Sequence, residues 1–235
     1  MDGIEAAPAV ADLGSLSLFA GLPSTDLQQL SGLLRAESVA TDTFVVSQEK
    51  PTSDACIVLS GMLKVFIDRP DGSEIVFAML GPGELVGELN LIDHLGRSAN
   101  VVALEPTRLL WLGEHEVRTC LATIPGLAQN LLAILARRLR LANAQIQALA
   151  HLAIQGRIAH QLLAFADGYG ETDGEGNIRI THPALTDADL AGMVGASADQ
   201  VHRVLSMFHR NAYLSIDAER RFTLHDPAAL ARICS

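Results

Sequence analysis

Apolar positions change period along the chain, and the changes mark its parts. Residues 1–14 are Ala-rich and unpatterned, which predicts a loose arm. Leu27, Leu30, Leu33 and Leu34 then recur at helical spacing behind Ser24, a residue suited to an N-cap, and predict a short helix over Ser24–Leu30. From about Glu37 to Gly113 the texture becomes short β-type runs: Thr43–Val46, Ala55–Leu59, Met62–Ile67, Glu74–Met79, Ala99–Ala103 and Arg108–Leu112. Ser60-Gly61, Pro70-Asp71-Gly72-Ser73 and Gly81-Pro82-Gly83 separate them. Many short strands between Gly/Pro turns predict a β barrel or a rolled sandwich.

The period switches again at Pro125, which fits a first helical turn. Ala128, Leu132, Leu135, Leu139, Ala142, Ile146, Leu149 and Ala153 follow in alternating steps of four and three. That is a heptad seam, with Arg137, Arg138 and Arg140 kept off it. The same residues suit a helix lying on its own domain's core, but so long a seam favours pairing with a second copy. At 1.5 Å per residue the helix, ending near His151, would be roughly 40 Å long.

After Ile154-Gln155-Gly156 the pattern predicts a helix over Arg157–Ala166, a loop over Asp167–Gly176 and then two short helices. Thr186 can cap the first, with Leu190, Met193 and Val194 inward; Gly195 supplies the turn; Ser197 caps the second, with Val201, Val204 and Leu205 inward. Tyr213–Ile216 and Arg221–Leu224 read as the two strands of a wing. This outline is a helix-turn-helix, whose second helix turns outward residues into the major groove. Ser197, Ala198, Asp199, Gln200, His202, Arg203 and Ser206 are the candidates here. Arg203 can pair with guanine, Asp199 can accept from cytosine N4 and Gln200 can pair with adenine.

Composition narrows the partners. Of 235 residues, 49% are hydrophobic and 19% charged, as in a well-cored globular chain. The formal net charge of −10 argues against an indiscriminate nucleic-acid binder. The helix-turn-helix and wing nevertheless gather His202, Arg203, His209, Arg210, Arg220, Arg221 and His225, so a basic face on an acidic body is expected, with weak non-specific affinity. No apolar run approaches the ~18 residues of a membrane span, and the N-terminus is acidic rather than secretory, so a cytoplasmic location is expected. Cys56, Cys120 and Cys234 lack metal-type or disulfide-type spacing and read as packing cysteines. His94, His115 and His151 are expected to be unligated. No metal site and no catalytic constellation stands out, so an enzyme is not expected.

The chemistry concentrates in one stretch, Gly87-Glu88-Leu89 through Arg97-Ser98-Ala99, read as a single loop. A glycine lets backbone approach a ligand closely. Arginine offers a fork of donors that suits a phosphate, serine adds a hydroxyl, and a carboxylate accepts from hydroxyls such as those of a ribose. The stretch can therefore hold a sugar-phosphate from two sides. Gly81, Gly83 and Gly87 are spaced GxGxxxG without a βαβ context and do not make a dinucleotide fingerprint.

That stretch, Ala136-Arg137-Arg138-Leu139, Gly156-Arg157-Ile158-Ala159 and Val194-Gly195-Ala196-Ser197 with Val201 and Arg203-Val204-Leu205 together resemble the cyclic-AMP receptor protein (CRP/FNR) superfamily, over about residues 16–226. The resemblance implies an α+β chain. Its parts are an N-terminal β-roll binding a cyclic nucleotide (residues 1–124), a long dimerisation helix (125–152) and a C-terminal winged helix-turn-helix (153–235). It implies that Glu88 accepts from the ribose 2′-hydroxyl, that Arg97 and Ser98 hold the cyclic phosphate, and that backbone around Val86, Gly87 and Leu89, with Ala99, lines the pocket. It also implies a homodimer on operator DNA, with RNA polymerase as partner for an activator. Where the family places Thr-Ser or Thr-Asn against the purine, this chain has Ala142-Asn143, and Ala142 cannot hydrogen-bond a base. Cyclic AMP is favoured by Arg97-Ser98-Ala99 and cyclic GMP is a close second because of Asn143. The alternative is a family-like DNA binder that needs no effector or answers another ligand, such as a cyclic dinucleotide or a small redox signal. Ala198 and His202 stand where the family usually has Arg and Gly, so a different operator is expected.

Overall fold

The structure is a computed structural model that describes residues 4–5, 10–49, 53–93, 95–182 and 184–234. By internal packing the chain divides into two compact units, Met1–Phe66 with Met79–Arg140 and Ile67–Ala78 with Leu141–Ser235. The first begins with β1 (Ile4–Glu5), α1 (Val10–Leu13), α2 (Ser24–Ser31), β2 (Leu34–Val39), β3 (Phe44–Val46) and β4 (Ala55–Ser60). Next along the chain come β5 (Leu63–Asp68), β6 (Glu74–Leu80), β7 (Leu85–Val86), α3 (Glu88–Asp93), β8 (Asn100–Ala103), β9 (Thr107–Leu112), α4 (Glu114–Thr123) and α5 (Pro125–His151), of which most of β6 and the end of α5 from Leu141 count with the second unit.

The strands form two sheets, ordered β1-β2-β9-β4-β7 and β3-β8-β5-β6, which is the rolled sandwich expected from the turn spacing. Strand β9 is central to the first sheet and pairs antiparallel with β2 and β4. Its register sets Leu112 beside Leu34 and Ala55, and Leu110 beside Ala36 and Ile57. Side chains alternate faces along a strand, so these six share one face, and all are buried. Phe19, Leu30, Val117, Leu127, Leu131 and Ile134 close over that face from the helical segments. At roughly 1.5–3 kcal/mol for each large apolar side chain buried, this layer is the main stabilising feature of the unit.

Several expectations change. Of the predicted loose arm, residues 1–3 and 6–9 lie outside the described residues; Ile4–Glu5 pair with β2, and Leu13 is fully buried in the core. Ser24 is the first residue of its helix and Pro23 precedes it as the cap; the fixed φ of proline suits that boundary. The stretch read as one loop after Gly87 contains the helix α3, and α4 follows β9 directly. Strands β2 and β7 were not predicted, since Leu34–Val39 carries two charges and Leu85–Val86 is too short to show a period.

Helix α5 carries two apolar stripes. Leu127, Leu131 and Ile134 are buried in the core of the first unit, whereas the seam residues Leu132, Leu139, Ile146 and Leu149 are exposed, Leu132 by 66%. The seam residue Leu135 is partly buried against that core, so these four exposed positions, rather than the whole seam, are what the helix does not spend on it.

The second unit continues with α6 (Ile154–Tyr169), β10 (Gly170–Thr172), β11 (Ile178–Ile180), α7 (Asp187–Val194), α8 (Ala198–Arg210), β12 (Leu214–Ile216), β13 (Phe222–Leu224) and α9 (Pro227–Ile233). Helices α7 and α8 are the expected helix-turn-helix. Thr186 and Ser197 each close a capping box, with Asp189 and Gln200 as the returning side chains; a box of this kind satisfies two otherwise orphaned N–H groups. Gly195 makes the turn at φ +62°. Leu190, Met193, Val194, Val201 and Leu205 point inward as expected, and Val204 is half-buried. The wing, β12 and β13, belongs to a four-stranded sheet ordered β10-β11-β13-β12. The loop predicted over residues 167–176 is instead the end of α6, the strand β10 and a turn, because Asp173 accepts from Glu175 N and Asn177 N and closes a hairpin with β11.

Candidate ligand pocket and DNA-reading face

Strand β7 pairs with β4, setting Val86 beside Cys56, and delivers the chain into Gly87 at φ +88°. A Cβ on Gly87 would lie 2.5 Å from Nη1 of Arg97 and 3.0 Å from the backbone oxygen of Asp54, so a side chain here would be strained by conformation and would displace the arginine. Glu88 opens α3 and is only 4% exposed.

Arg97 reaches back to the start of this segment. Its Nη2 donates to Asp54 O at 2.7 Å and its Nη1 to Gly87 O at 3.3 Å. Burial pulls the guanidinium below its ordinary value, and the carboxylates of Asp54, Glu88 and Glu114 oppose that shift. The segment between is pinned: Asn90 Oδ1 accepts from Gly96 N at 2.9 Å, and Gln48 donates to Ser98 O at 3.3 Å. Ala99 is buried, while Ser98 and Leu89 are exposed. Burial pushes the Cys56 thiol up, so this cysteine is a neutral packing residue below the site.

Two residues that contact this segment were not among the candidate site residues read from the sequence. Arg138 on α5 donates to Glu88 Oε1 and to Leu85 O, and lies 3.4 Å from Glu84 Oε2. Arg137 donates to Glu84 Oε1 at 2.6 Å. In the sequence these arginines marked the polar side of the seam and formed part of the family-like motif Ala136-Arg137-Arg138-Leu139, with no role toward Glu88. The signal that was present is their place four and five residues ahead of Ala142, one turn along the same helix.

The expected pocket residues Val86, Gly87, Glu88, Leu89, Arg97, Ser98 and Ala99 thus gather on one segment of the first unit. Ala142 and Asn143 are exposed residues of α5 that belong to the second unit. His115 and His151 are exposed on α4 and α5, and His94 lies outside the described residues.

On the recognition helix α8, Ala198, Asp199, His202 and Arg203 are exposed, as is the cap Ser197. Arg203 Nε donates to Asp199 O at 3.2 Å. Gln200 is half-buried and its Oε1 accepts from Ser197 N at 2.9 Å, so its carbonyl serves the capping box. The Ser197–Gln200 spacing could have announced that role. His225 in the wing is held by Ser215 and Asn177, one on each ring nitrogen.

Fold and site together define a chain with a β-roll carrying a carboxylate–arginine cassette and a winged helix-turn-helix. A cyclic nucleotide-binding domain model matches residues 36–123 and a Crp-like helix-turn-helix domain model matches residues 156–233. The chain is 29% identical over 220 residues to a CRP-like cAMP-activated global transcriptional regulator of Mycobacterium tuberculosis, covering 94% of this chain and 97% of that one. It is 37% identical over 150 residues to a cyclic AMP receptor protein of Thermus thermophilus, covering 63% and 65%. Among solved structures, FixK2 from Bradyrhizobium japonicum shares the fold with a TM-score of 0.73 at 20% identity, over 85% of this chain and 96% of that one. The chain belongs to the cyclic-AMP receptor protein (CRP/FNR) superfamily of transcription regulators.

Proposed function

We propose that this protein is a homodimeric, cytoplasmic transcription regulator whose binding to operator DNA is switched by a cyclic nucleotide, cyclic AMP ahead of cyclic GMP. RNA polymerase is its partner where it activates. The ribose 2′-hydroxyl donates to Glu88, and Arg97 and Ser98 take the cyclic phosphate against the backbone of Val86–Leu89. Asn143 reads the purine, from the same subunit or its partner. Arg203 and Asp199 read base edges, beside Ser197, Ala198, Gln200 and His202.

The observation that carries this reading is the buried Glu88 carboxylate held by Arg138 of the long helix. Arg138 takes Oε1, and a carboxylate has a second oxygen for the ribose. A hydroxyl donating to that second oxygen shares with Arg138 the same carboxylate as acceptor, and α5 carries the exposed apolar seam residues. The ligand shifts the equilibrium only by its differential affinity for the two states. The donor set also fits the ligand chemically: one acceptor for a sugar, one forked cation and one hydroxyl for a phosphate.

Calorimetric titration with cyclic AMP and with cyclic GMP tests the reading. Saturable heat from either supports it, and no heat from both overturns it.

One feature favours an effector-independent regulator as the second reading. Glu88 and Arg97 both spend hydrogen bonds on protein partners, Arg138 for the first and Gly87 O and Asp54 O for the second. Operator binding unchanged by either nucleotide in a gel-shift assay is the outcome that this alternative requires.

A further inference from the structure

Asp187, the first residue of α7, ties together two parts of the winged helix that are far apart in sequence. Its Oδ2 lies 3.1 Å from Nδ1 of His202 on α8, and its Oδ1 accepts from Nη2 of Arg220 in the turn between β12 and β13. Arg220 adopts φ +62° and donates a second hydrogen bond, from Nε to Leu185 O at 3.1 Å. The Asp187 side chain is 22% exposed, whereas His202 is 70% exposed. A contact to a side chain as exposed as His202 contributes little to stability. What it does do is orient a ring.

We propose that Asp187 is a positioning residue that fixes His202 as a hydrogen-bond acceptor toward DNA, so that α8 selects an amino-bearing base, adenine or cytosine, where His202 meets the major groove. The inference rests on the DNA-binding reading above and sharpens it to one side chain.

A carboxylate can only accept, so the proton between the pair sits on Nδ1 of His202. In a neutral imidazole the other nitrogen then carries a lone pair, and which nitrogen is protonated is set by the bond that the first one makes. The five-membered ring directs Nε2 away from Asp187. An acceptor offered to the major groove matches the N6 amino group of adenine and the N4 amino group of cytosine, and is mismatched to guanine O6/N7 and thymine O4. Without Asp187 an exposed histidine samples rotamers and both tautomers and discriminates less. Arg220 offsets the Asp187 charge, so the bracket adds no net negative charge opposite the phosphates. Arg220 also ties the wing turn to the start of α7, so one carboxylate registers both elements.

Two measurements test this in the full-length protein. Nitrogen NMR of the imidazoles at pH 8, without DNA, reads the tautomer of His202. Nδ1 protonated with Nε2 bare is expected, collapsing toward a tautomer mixture in Asp187→Ala; a proton on Nε2 in the unsubstituted protein overturns the proposal. Selection from a randomised duplex pool, with cyclic AMP present and absent, reads the base preference. The unsubstituted protein is expected to prefer A or C at one position per half-site, and His202→Ala and Asp187→Asn should each lose about three- to tenfold of that discrimination, as for one hydrogen bond. Asparagine keeps a single carbonyl for two partners and is close in size, which guards against misfolding. A preference for G or T there, or a preference that survives Asp187→Asn but falls in His202→Ala, overturns the positioning role. Failure to select any sequence overturns the DNA-binding reading instead, and the NMR result then stands by itself.

Discussion

The carboxylate of Glu88 and the guanidinium of Arg138, fifty residues apart, form a salt bridge in which the acid side chain is 6% exposed and the arginine side chain 25% exposed. A carboxylate this buried is costly unless it is paired, and the pair is completed by Leu85 O and Glu84 around the same guanidinium. The segment that carries the proposed ribose acceptor is thus also held to the middle of the long helix. Arg138 is the side chain through which α5 meets that acid.

Arg138→Ala leaves that acid buried without its strongest partner. The expected loss is about 1–3 kcal/mol of stability, the cost of stranding a buried acceptor. Arg138→Lys should recover part of it by restoring charge without the fork. Urea unfolding of the three proteins checks the order; an alanine variant as stable as the lysine one would show that the pair is only incidental.

Arg97→Ala removes the donors to Gly87 O and Asp54 O along with the proposed phosphate contact. Charge-assisted hydrogen bonds of about 1.5–3 kcal/mol correspond to roughly ten- to a hundredfold weaker cyclic nucleotide binding. Gly87→Ala should be comparably damaging, because its Cβ would sit 2.5 Å from Nη1 of Arg97 and φ is +88°. Calorimetry reads both, and unchanged affinity in Arg97→Ala would remove the phosphate role.

Much of this was legible beforehand, for physical reasons that differ by element. The helix-turn-helix was readable residue by residue, since Thr186, Gly195 and Ser197 act locally: two caps and one left-handed turn. The β-roll was readable as a class because its strands are short and bounded by turn residues, yet β2 was missed because its buried face is only Leu34 and Ala36 among charged neighbours. The Glu88–Arg138 pair was not legible at all. It joins residues from different elements, and nothing in the local pattern of either distinguishes a paired charge from a solvated one.

Helix α5 offers a contrast between its two stripes. Leu131→Ala removes a side chain from the core and should cost about 2–5 kcal/mol of monomer stability. Leu139→Lys and Ile146→Lys, at exposed seam positions, should leave the monomer folded but shift the proposed dimer to a monomer by placing charges across the proposed seam. Sedimentation velocity beside circular dichroism separates the two effects. A lysine variant that remains dimeric would place the dimer contact elsewhere.

Asn143 follows Ala142, which offers no hydrogen bond, so purine discrimination should rest on the asparagine amide. Asn143→Ala should bring the affinities for cyclic AMP and cyclic GMP closer together, and Ala142→Thr should widen the gap in favour of cyclic AMP. Paired titrations read the ratio. A full purine preference retained by Asn143→Ala would show that the base is read by another residue.

Gly195, at the turn into the recognition helix, isolates the conformational term. A Cβ placed there would meet Arg157 Nη1 and Leu149 Cδ2 at 3.5 Å, an ordinary contact, so a clash is not the obstacle. The obstacle is φ +62°, a left-handed conformation that costs an ordinary L-residue about 1–2 kcal/mol. Asparagine visits that region more readily because its short amide can hydrogen-bond locally. Gly195→Ala should therefore destabilise by about that amount and Gly195→Asn by less, both with an unchanged urea m-value, because the surface exposed on unfolding is the same. Arg157 donates to Val194 O at 2.7 Å and holds the turn in place from α6, so the folded fraction of either variant should keep the recognition helix in register and bind operator with near-unsubstituted affinity. Equal losses for alanine and asparagine would mean that packing, not backbone handedness, sets the turn.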